Sequence, residues 1–392
     1  MLKKVTIHQL RVGMYINSFY CSWFKHPFLL NKFLLKDVKE INKIRTASIK
    51  FIEIDINKGV DAISEKKSID KKLSKNNYKK NLSKPNTNNI QVEMKAAKIA
   101  YNEAETYITD MMATTKMGAH VELEQLNPVI NKLSSSILRN PNALLGLSRI
   151  RTMDKYTFEH SVSFSVLMMS FAKSIGKDDE FIRLVGIGGL LHDIGKTLTP
   201  DHILNKPEKL TADEFEIMKE HVVHSRVILE KTEGLSKVSM DVAVMHHEKF
   251  DGNGYPKGLK GDEISLSGQM SSIVDVYDAL TADRCYHKGR QPADALKFLL
   301  NGAGSHFNPS LVKKFVHSIG IYPVGCLVLL SNDYLAKVIE IKGNMLKPTV
   351  EVVINIKTRS YVPRKIIDLN LQSDITIKSA ESYEKWHIKP DI

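Results

Sequence analysis

The pattern of hydrophobic and polar positions changes several times along the chain. Residues 1–57 alternate over short stretches, and residues 37–45 carry hydrophobic residues on one helical face, which together predict a small α/β module. Between residues 92 and 138, hydrophobic residues recur every three or four positions, which predicts a helix. Residues 143–318 continue this period around one glycine-rich loop, and the chain becomes strand-like after Tyr322. We therefore expect a mainly α protein, in which an all-helical domain is flanked by an α/β module and a small β extension.

The stretch from residue 58 to residue 92 differs in composition from the rest of the chain. Lysine, asparagine and serine dominate it, so it cannot bury enough apolar surface to order itself. We interpret it as a flexible linker rather than a nucleic-acid-binding arm, because only Tyr78 interleaves its lysines. The predicted segments are an accessory module, a linker, a helical connector, a helical domain and an extension, at residues 1–57, 58–92, 93–142, 143–321 and 322–392.

Charge and cysteine content restrict the environment and the partners. The 56 Lys and Arg residues exceed the 44 Asp and Glu residues by 12, which favours anionic partners such as nucleotides, nucleic acid or a membrane surface. The three cysteines form no Cys-x-x-Cys pair, which argues against disulfides and a zinc ribbon and fits a reducing compartment. The start of the chain has no signal-peptide core, and no apolar stretch approaches the ~20 residues that span a bilayer. We therefore expect a cytoplasmic protein without a membrane span.

Histidine and aspartate residues form the strongest chemical signal in the sequence. Two adjacent pairs, His192-Asp193 and His246-His247, lie in or at the ends of predicted helices, and His160, His221 and Asp275 lie in others. Neighbours on a helix point about 100° apart, so one pair can serve two metals. Imidazole and carboxylate together suit iron, manganese, zinc, nickel or cobalt better than magnesium alone. Because the group contains no cysteine, a hydrolytic or redox metal centre is favoured over a structural zinc site.

Three motifs follow one another in an order that one family of helical domains shows. They are HD-x-x-K at residues 192–196, HHEK-x-DG-x-GYP at residues 246–256 and D-x-x-DALT-x-DR at residues 275–284. Residues 143–318 thereby closely resemble an HD-GYP domain, the helical metal-dependent phosphodiesterase of bacterial cyclic-dinucleotide signalling. Residues 1–57 and the β extension resemble, more loosely, modules that are often fused to such domains.

The resemblance implies a set of seven metal ligands, which are His160, His192, Asp193, His221, His246, His247 and Asp275. Asp193 is expected to bridge two metal ions. The other ligands of one ion would be His160, His192 and Asp275, and those of the second ion would be His221, His246 and His247. Some relatives bind a third metal through a glutamate one helical turn before the first histidine. Because Tyr156 occupies that position here, we expect a dinuclear centre.

The resemblance also implies a substrate and a reaction. The implied substrate is cyclic di-GMP, which would be hydrolysed to linear pGpG. The resemblance does not decide whether pGpG is cleaved further to GMP. Two divalent transition metals, with iron or manganese favoured over nickel, cobalt or zinc, would activate a water that bridges them and attacks phosphorus. Asp193 and Lys196 are the expected catalytic residues, and Lys196 would neutralise the growing charge. The positions that carry over as substrate contacts are Lys196, Tyr255, Thr281, Arg284 and His287.

One departure from the family pattern lies in the last motif. Relatives run Asp-Arg-Pro-Tyr-Arg or Asp-Arg-Pro-Tyr-Lys, whereas residues 283–287 here are Asp-Arg-Cys-Tyr-His. His287 has a reference pKa of about 6.5 and is mostly neutral at pH 7, so we expect phosphate affinity to weaken as pH rises.

Three other functions compete with this interpretation. The same chemistry could act on 3′,3′-cyclic GMP-AMP, since no residue separates the two substrates. The chain could be a weakly active effector whose Gly-Tyr-Pro loop docks a diguanylate cyclase with a GGDEF domain, although the full ligand set argues against a dead enzyme. A generic HD-type nucleotidase is disfavoured, because it needs none of His221, His246 and His247. We further expect no binding of DNA or RNA, and a homodimer if the helical connector is a dimer seam.

Overall fold

The computed structural model describes residues 2–6, 10, 12–18, 32–35, 37, 41, 44, 51–60, 90–149, 156–282, 289–341 and 344–388. The chain divides into two compact units, Met1–Asn81 and Leu82–Ile392. None of the described helices is long and apolar enough to cross a membrane.

The first unit contains a four-stranded antiparallel sheet. Its strands, in the sheet order β1-β4-β2-β3, are β1 (Leu2–Thr6), β2 (Tyr15–Ser18), β3 (Phe33–Leu34) and β4 (Phe51–Asp55). Ile16, Ile52 and Ile54 point into a core that also holds Ile41 and Ile44, both in helical conformation. Alternation along the strands buries one face of each, because successive side chains point to opposite sides of a sheet. The predicted α/β module is therefore confirmed.

The second unit is mainly helical in its described part. Its α-helices are α1 (Ile90–Lys116), α2 (Leu123–Arg139), α3 (Pro141–Ser148), α4 (Tyr156–Ser174), α5 (Asp179–Leu191), α6 (Asp201–Leu204), α7 (Ala212–Leu229), α8 (Lys237–Met245), α9 (Leu266–Thr281), α10 (Pro292–Asn301) and α11 (Pro309–Ile319). Two 3₁₀ turns, Ile194–Leu198 and Gly261–Glu263, lie between them. The predicted helical domain is confirmed by this arrangement.

Glycines allow helix α5 to pack closely against the backbones of two neighbouring helices. A Cβ on Gly189 would lie 2.7 Å from the Cα of Ser165 on α4, and one on Gly188 would lie 2.6 Å from the carbonyl oxygen of Ser239 on α8. A side chain at either position would clash with backbone, so this approach requires glycine. The end of α5 is thereby held in the interior, between α4 and α8.

A five-stranded antiparallel sheet follows the helices. Its strands, in the sheet order β8-β7-β6-β5-β9, are β5 (Leu327–Leu330), β6 (Tyr334–Glu340), β7 (Thr349–Asn355), β8 (Ser360–Asp368) and β9 (Ile377–Glu381). The sequence pattern predicted the first four, although β8 extends beyond the predicted residues 360–362. Strand β9 was missed because it contains a single large hydrophobic residue, Ile377, and its pairing with β5 is what makes it a strand.

The region predicted as one helical connector consists of two helices. Helix α1 ends at Lys116 and α2 begins at Leu123, and Gly118 between them has a φ of +92°, which breaks the helical conformation.

Helix α1 begins at Ile90, so the last residues of the predicted linker are helical. Residues 61–89, which hold most of that linker, lie outside the described residues, and the flexible-linker interpretation stays a prediction.

A core substitution tests the packing around α4. Phe171 is fully buried, and its ring meets that of Phe315 edge-on at a centroid distance of 5.1 Å. Phe171→Ala should lower the free energy of unfolding by about 3–5 kcal/mol, because the cavity refills only partly. Denaturant unfolding measures this loss. Phe298→Ala, on a ring that is 41% exposed, is the matched control and should cost less than about 1 kcal/mol. Equal losses would contradict the packing described here.

Candidate metal centre

Five helices and the segments that follow them bring the seven candidate ligands to one place. His160 lies on α4, His221 on α7 and Asp275 on α9. The pair His192-Asp193 follows α5 directly, and the pair His246-His247 follows α8. Five of the seven side chains are buried, whereas His247 and Asp275 keep 25% and 13% of their side chains exposed. The cluster is therefore open to solvent on the side of these two residues.

The ligand atoms form groups of the size that a metal ion needs. His160, His192 and Asp275 make one such group, and His221, His246 and His247 make another, each with its ligand atoms within 4.8 Å of one another. A further group, formed by His192, Asp193 and His246, connects the two. The clusters can therefore bind metal ions, and they are the same two groups that the sequence assigned to two ions.

Asp193 lies between the two groups. Its Oδ2 atom is 3.7 Å from Nε2 of His160 and 3.3 Å from Nε2 of His192. Its Oδ1 atom is 3.4 Å from Nε2 of His221 and 3.9 Å from Nε2 of His246. Oδ1 is buried and accepts no hydrogen bond from the described residues. A buried carboxylate oxygen without a donor is costly, and a bound cation would satisfy it.

Backbone carbonyl groups fix the ring orientation of three histidines. Each Nδ1–H donates to the carbonyl three residues earlier in the chain, at 2.8 Å for His192, 2.6 Å for His221 and 2.9 Å for His246. Nε2 then carries the lone pair and points inward. Nε2 of His192 lies 3.2 Å from Nε2 of His160, and Nε2 of His221 lies 3.3 Å from Nε2 of His246. Two lone pairs at such distances repel each other unless a proton or a cation lies between them, so the arrangement fits metal ligation.

Asp278 orients the remaining buried histidine. Its Oδ2 atom lies 2.5 Å from Nδ1 of His160, and its Oδ1 atom accepts a hydrogen bond from the hydroxyl of Ser163 at 2.7 Å. A carboxylate at Nδ1 makes Nε2 the metal-facing atom and raises its basicity. Asp278 belongs to the third sequence motif, but the motif alone did not predict this role. Its position three residues after Asp275 on one helix was the available signal.

A glycine permits the close approach that joins the two histidine groups. A Cβ on Gly195 would lie 1.9 Å from the carbonyl oxygen of His221, so any larger residue would separate the 3₁₀ turn from α7. The hydroxyl of Ser225 accepts from the Gly195 amide at 2.9 Å and donates to the His192 carbonyl at 3.0 Å. These bonds connect the segment that carries Asp193 to the helix that carries His221.

Burial and charge set the protonation of the cluster. Burial lowers the pKa of His221 to about 3 and that of His247 to about 4. Burial also opposes the charged form of His160, but the hydrogen bonds of Asp275 and Asp278 raise its pKa. For Asp193, burial works to raise the pKa, but His192, Lys196 and His221 hold it well below the usual range. An ionised carboxylate and neutral imidazoles are the forms that bind a metal.

The loop after the second histidine pair lies beside the open side of the cluster. The ring of Tyr255 stacks on His247 at a centroid distance of 4.7 Å, and Nζ of Lys219 lies 5.6 Å from the centre of the Tyr255 ring. Glu248 is buried and accepts hydrogen bonds from the amides of Lys257 and Leu259 at 2.8 and 3.0 Å, which ties the loop together. Sequence reasoning assigned no role to Lys219 or Glu248.

The other predicted substrate positions are distributed differently. Nζ of Lys196 lies 2.5 Å from Oδ2 of Asp193, at the cluster. The hydroxyl of Thr281 donates to the carbonyl of Tyr277 at 3.0 Å, and Thr281 lines a cavity of about 110 Å³ whose described lining includes none of the seven ligands. Arg284 and His287 lie outside the described residues, as does the side chain of Tyr156.

Similar proteins carry the same domain. The HD domain family matches residues 134–311, and a domain of unknown function, DUF3391, matches residues 2–126. A Pseudomonas aeruginosa protein named cyclic di-GMP phosphodiesterase is 36% identical over 393 residues, which cover 99% of this chain and 94% of that protein. A Thermotoga maritima protein of the same name is 34% identical over 171 residues, 43% of this chain and 46% of that protein. A Vibrio cholerae protein named 3′3′-cGAMP-specific phosphodiesterase 2 is 44% identical over 124 residues, 31% of this chain and 24% of that protein.

The fold and the cluster define a helical domain that is built to hold metal ions. The chain belongs to the HD domain family, with an N-terminal region of the DUF3391 type. The family membership that the three motifs predicted is therefore confirmed.

Removing the carboxylate behind His160 tests its positioning role. Asp278→Ala should weaken the affinity for a divalent metal by about 10–100-fold, because the imidazole loses the acceptor that fixes its tautomer. Competition with a chromophoric chelator on the metal-free protein measures this affinity. Asp294→Ala removes an exposed carboxylate of α10 and is the matched control. Unchanged affinity in Asp278→Ala would show that the contact does not orient the ligand.

Acidification should remove metal in two steps. As pH falls, His160 gains a proton before His221 and His247 do, because its pKa is raised, whereas these two stay neutral down to about 3 and about 4. Metal bound by His160, His192 and Asp275 should therefore be lost before metal bound by the other group. Elemental analysis after dialysis at stepped pH values measures the loss. A single step that empties both groups together would contradict this order.

Proposed function

We propose that this protein hydrolyses cyclic di-GMP to linear pGpG at a dinuclear metal centre. The observation that carries the proposal is the position of Asp193, whose two carboxylate oxygens each face a different pair of histidines. A relative that matches nearly the whole chain and bears the name cyclic di-GMP phosphodiesterase supports the choice of substrate.

The donor set suits two divalent transition metals. Imidazole and carboxylate ligands accept iron, manganese, nickel, cobalt and zinc, and iron or manganese is our proposal for the native pair. When bound, two such cations would lower the pKa of water and stabilise negative charge on a phosphoryl group. The proposed ligands are the seven residues of the cluster, with Asp193 shared between the two ions.

Lys196 is proposed as the residue that neutralises phosphoryl charge. Its ammonium group contacts Asp193 Oδ2 at 2.5 Å, and its side chain is 25% exposed, so part of it is accessible from solvent. A cation held in this way reaches a phosphate oxygen without reorganising, which favours the charged transition state over the substrate.

Tyr255 is proposed to contact the substrate at the open side. Burial raises the pKa of its hydroxyl, so the group keeps its proton and can donate a hydrogen bond. Its ring lies against His247, so a base or ribose bound there would also shield the metal ligands from water. Thr281, Arg284 and His287 are further proposed contacts and rest on the family resemblance.

A second candidate substrate is 3′,3′-cyclic GMP-AMP. The Vibrio cholerae relative named for that substrate is 44% identical, but over 31% of this chain. Cyclic di-GMP is preferred because the relative that covers 99% of the chain is named for it. Further cleavage to GMP, a diguanylate cyclase docked on the Gly-Tyr-Pro loop, a homodimer and a cytoplasmic location stay predictions of the sequence.

A charge-removing substitution tests the shared carboxylate. Asp193→Asn keeps the side-chain shape but removes the charge that both histidine groups face, so hydrolysis should fall at least about 100-fold. Bound metal should fall from about two ions per chain. Elemental analysis of anaerobically prepared protein and chromatography of the nucleotide products measure the two effects. Asp213→Asn, on an exposed carboxylate at the start of α7, is the matched control.

The metal analysis and the product chromatography test the shared carboxylate, the substrate and the number of metal ions separately. Full activity and full metal content in Asp193→Asn would contradict the shared carboxylate. Faster hydrolysis of 3′,3′-cyclic GMP-AMP than of cyclic di-GMP would change the substrate and leave the metal centre intact. A content near three metals per chain would contradict the dinuclear assignment that position 156 suggested.

A further inference from the structure

A second cavity, of about 340 Å³, lies between helix α1 and the C-terminal sheet. Residues of α1 form one wall, residues of β6, β7 and β8 form the other, and Gly146 of α3 and Val324 lie between them. Its described lining includes none of the seven candidate ligands. The volume is within the range of about 300–1,000 Å³ that small-molecule sites occupy. The cavity is therefore large enough for a ligand of its own.

The apolar part of the cavity is aliphatic. Its members are Met94, Val324, Val338, Ile339 and Ile366, and no aromatic side chain occurs in the described lining. Ile366 is 55% exposed, so the apolar wall is open to solvent at this point. A flat base would find no ring to stack on here, whereas an aliphatic chain would find methyl and methylene groups along the wall.

The rim of the cavity is positively charged. Lys95, Lys98, Lys337 and Arg364 line it, against a single carboxylate, that of Glu351. Arg364 and Glu351 form an ion pair with each other. Lys95 and Lys98 are exposed on adjacent turns of α1, and neither forms a hydrogen bond or ion pair with another described residue. The two lysines are therefore free to hold an anionic group.

We propose that this cavity binds a free fatty acid, with its aliphatic chain along the apolar wall and its carboxylate on Lys95 and Lys98. Charge complementarity selects an anion, and the aliphatic lining selects its chain. The volume lies near the lower end of the usual range, which favours a medium chain. This inference does not depend on the proposed hydrolysis of cyclic di-GMP.

Titration calorimetry with saturated fatty acids below their micelle concentrations tests the binding. Affinity should rise about fourfold for each added CH₂ from octanoate to dodecanoate, since each buried methylene contributes a similar free energy. Dodecanol lacks the charge and dodecyltrimethylammonium reverses it, so both should bind at least about tenfold more weakly than dodecanoate.

Two variants locate the site on the molecule. Lys95→Glu/Lys98→Glu should weaken dodecanoate binding about tenfold or more, because two cations become anions. Ile366→Trp should weaken it by filling the apolar part of the cavity from its exposed side. Lys313→Glu/Lys314→Glu makes the same charge change on exposed residues of α11 and is the matched control. All variants lie outside the metal cluster, and circular dichroism with thermal unfolding serves as the check on folding.

Several outcomes would overturn the proposal. These are no dodecanoate binding to the full chain, equal binding of dodecyltrimethylammonium, or unchanged binding in both cavity variants. Sedimentation with phosphatidylglycerol vesicles that is lost in Lys95→Glu/Lys98→Glu, without dodecanoate binding, would assign the cavity to a membrane surface instead. Binding of GMP that is lost in the same variant, without dodecanoate binding, would assign it to a nucleotide.

Discussion

The buried carboxylate of Asp193 is the group on which the helical unit depends. Both of its oxygens lie inside the protein among imidazole nitrogens, and Oδ1 receives no hydrogen bond from the described residues. A negative charge in this position is unfavourable unless cations lie close to it. Three of the surrounding histidines, His192, His221 and His246, direct lone pairs rather than protons at it, because their Nδ1–H groups are bonded to carbonyl oxygens. Metal ions bound by these histidines would compensate this charge together with the ammonium group of Lys196.

Short backbone distances make this convergence possible. Glycines allow α5 to contact α4 and α8, and Gly195 allows the next turn to lie on α7. Because these backbones are close together, the short side chains of the histidines at the helix ends can reach one another. Longer side chains would lose more conformational entropy on being ordered. The rings of His192, His221 and His246 are each fixed by a bond to their own helix, so their positions in the cluster follow directly from the helix positions. A small shift of one helix would change several ligand distances at once.

The excess positive charge of the chain has more than one role in this structure. Lys196 contacts the shared carboxylate, and Lys219 lies over Tyr255 at the open side of the cluster. Other cations line the cavity between α1 and the C-terminal sheet. The sequence favoured anionic partners from the net charge alone, and the fold places some of the cations at the metal cluster and some at this cavity. The C-terminal sheet thus lines a cavity as well as extending the helical domain.

The sequence by itself determined the class of the domain and its chemistry. Adjacent His-Asp and His-His pairs, a carboxylate on a later helix and the glycine-rich loop identify the family, because these residue types at these spacings are needed for the metal centre. Helix and strand periods gave most of the secondary structure, because burial of one face imposes a period on local sequence. The single-helix connector was wrong, since one positive-φ glycine, Gly118, divides a pattern that is otherwise continuous.

Tertiary structure alone decided the contacts between distant segments. The role of Asp278 depends on the approach of α9 to α4, and that of Gly195 on the approach of a turn to α7. Strand β9 exists because it pairs with β5, and its own residues carry little periodicity. The aliphatic cavity joins a helix and a sheet that are more than two hundred residues apart in the chain. Local patterns record which side of an element is buried, whereas the identity of the partner on that side depends on packing of the whole chain.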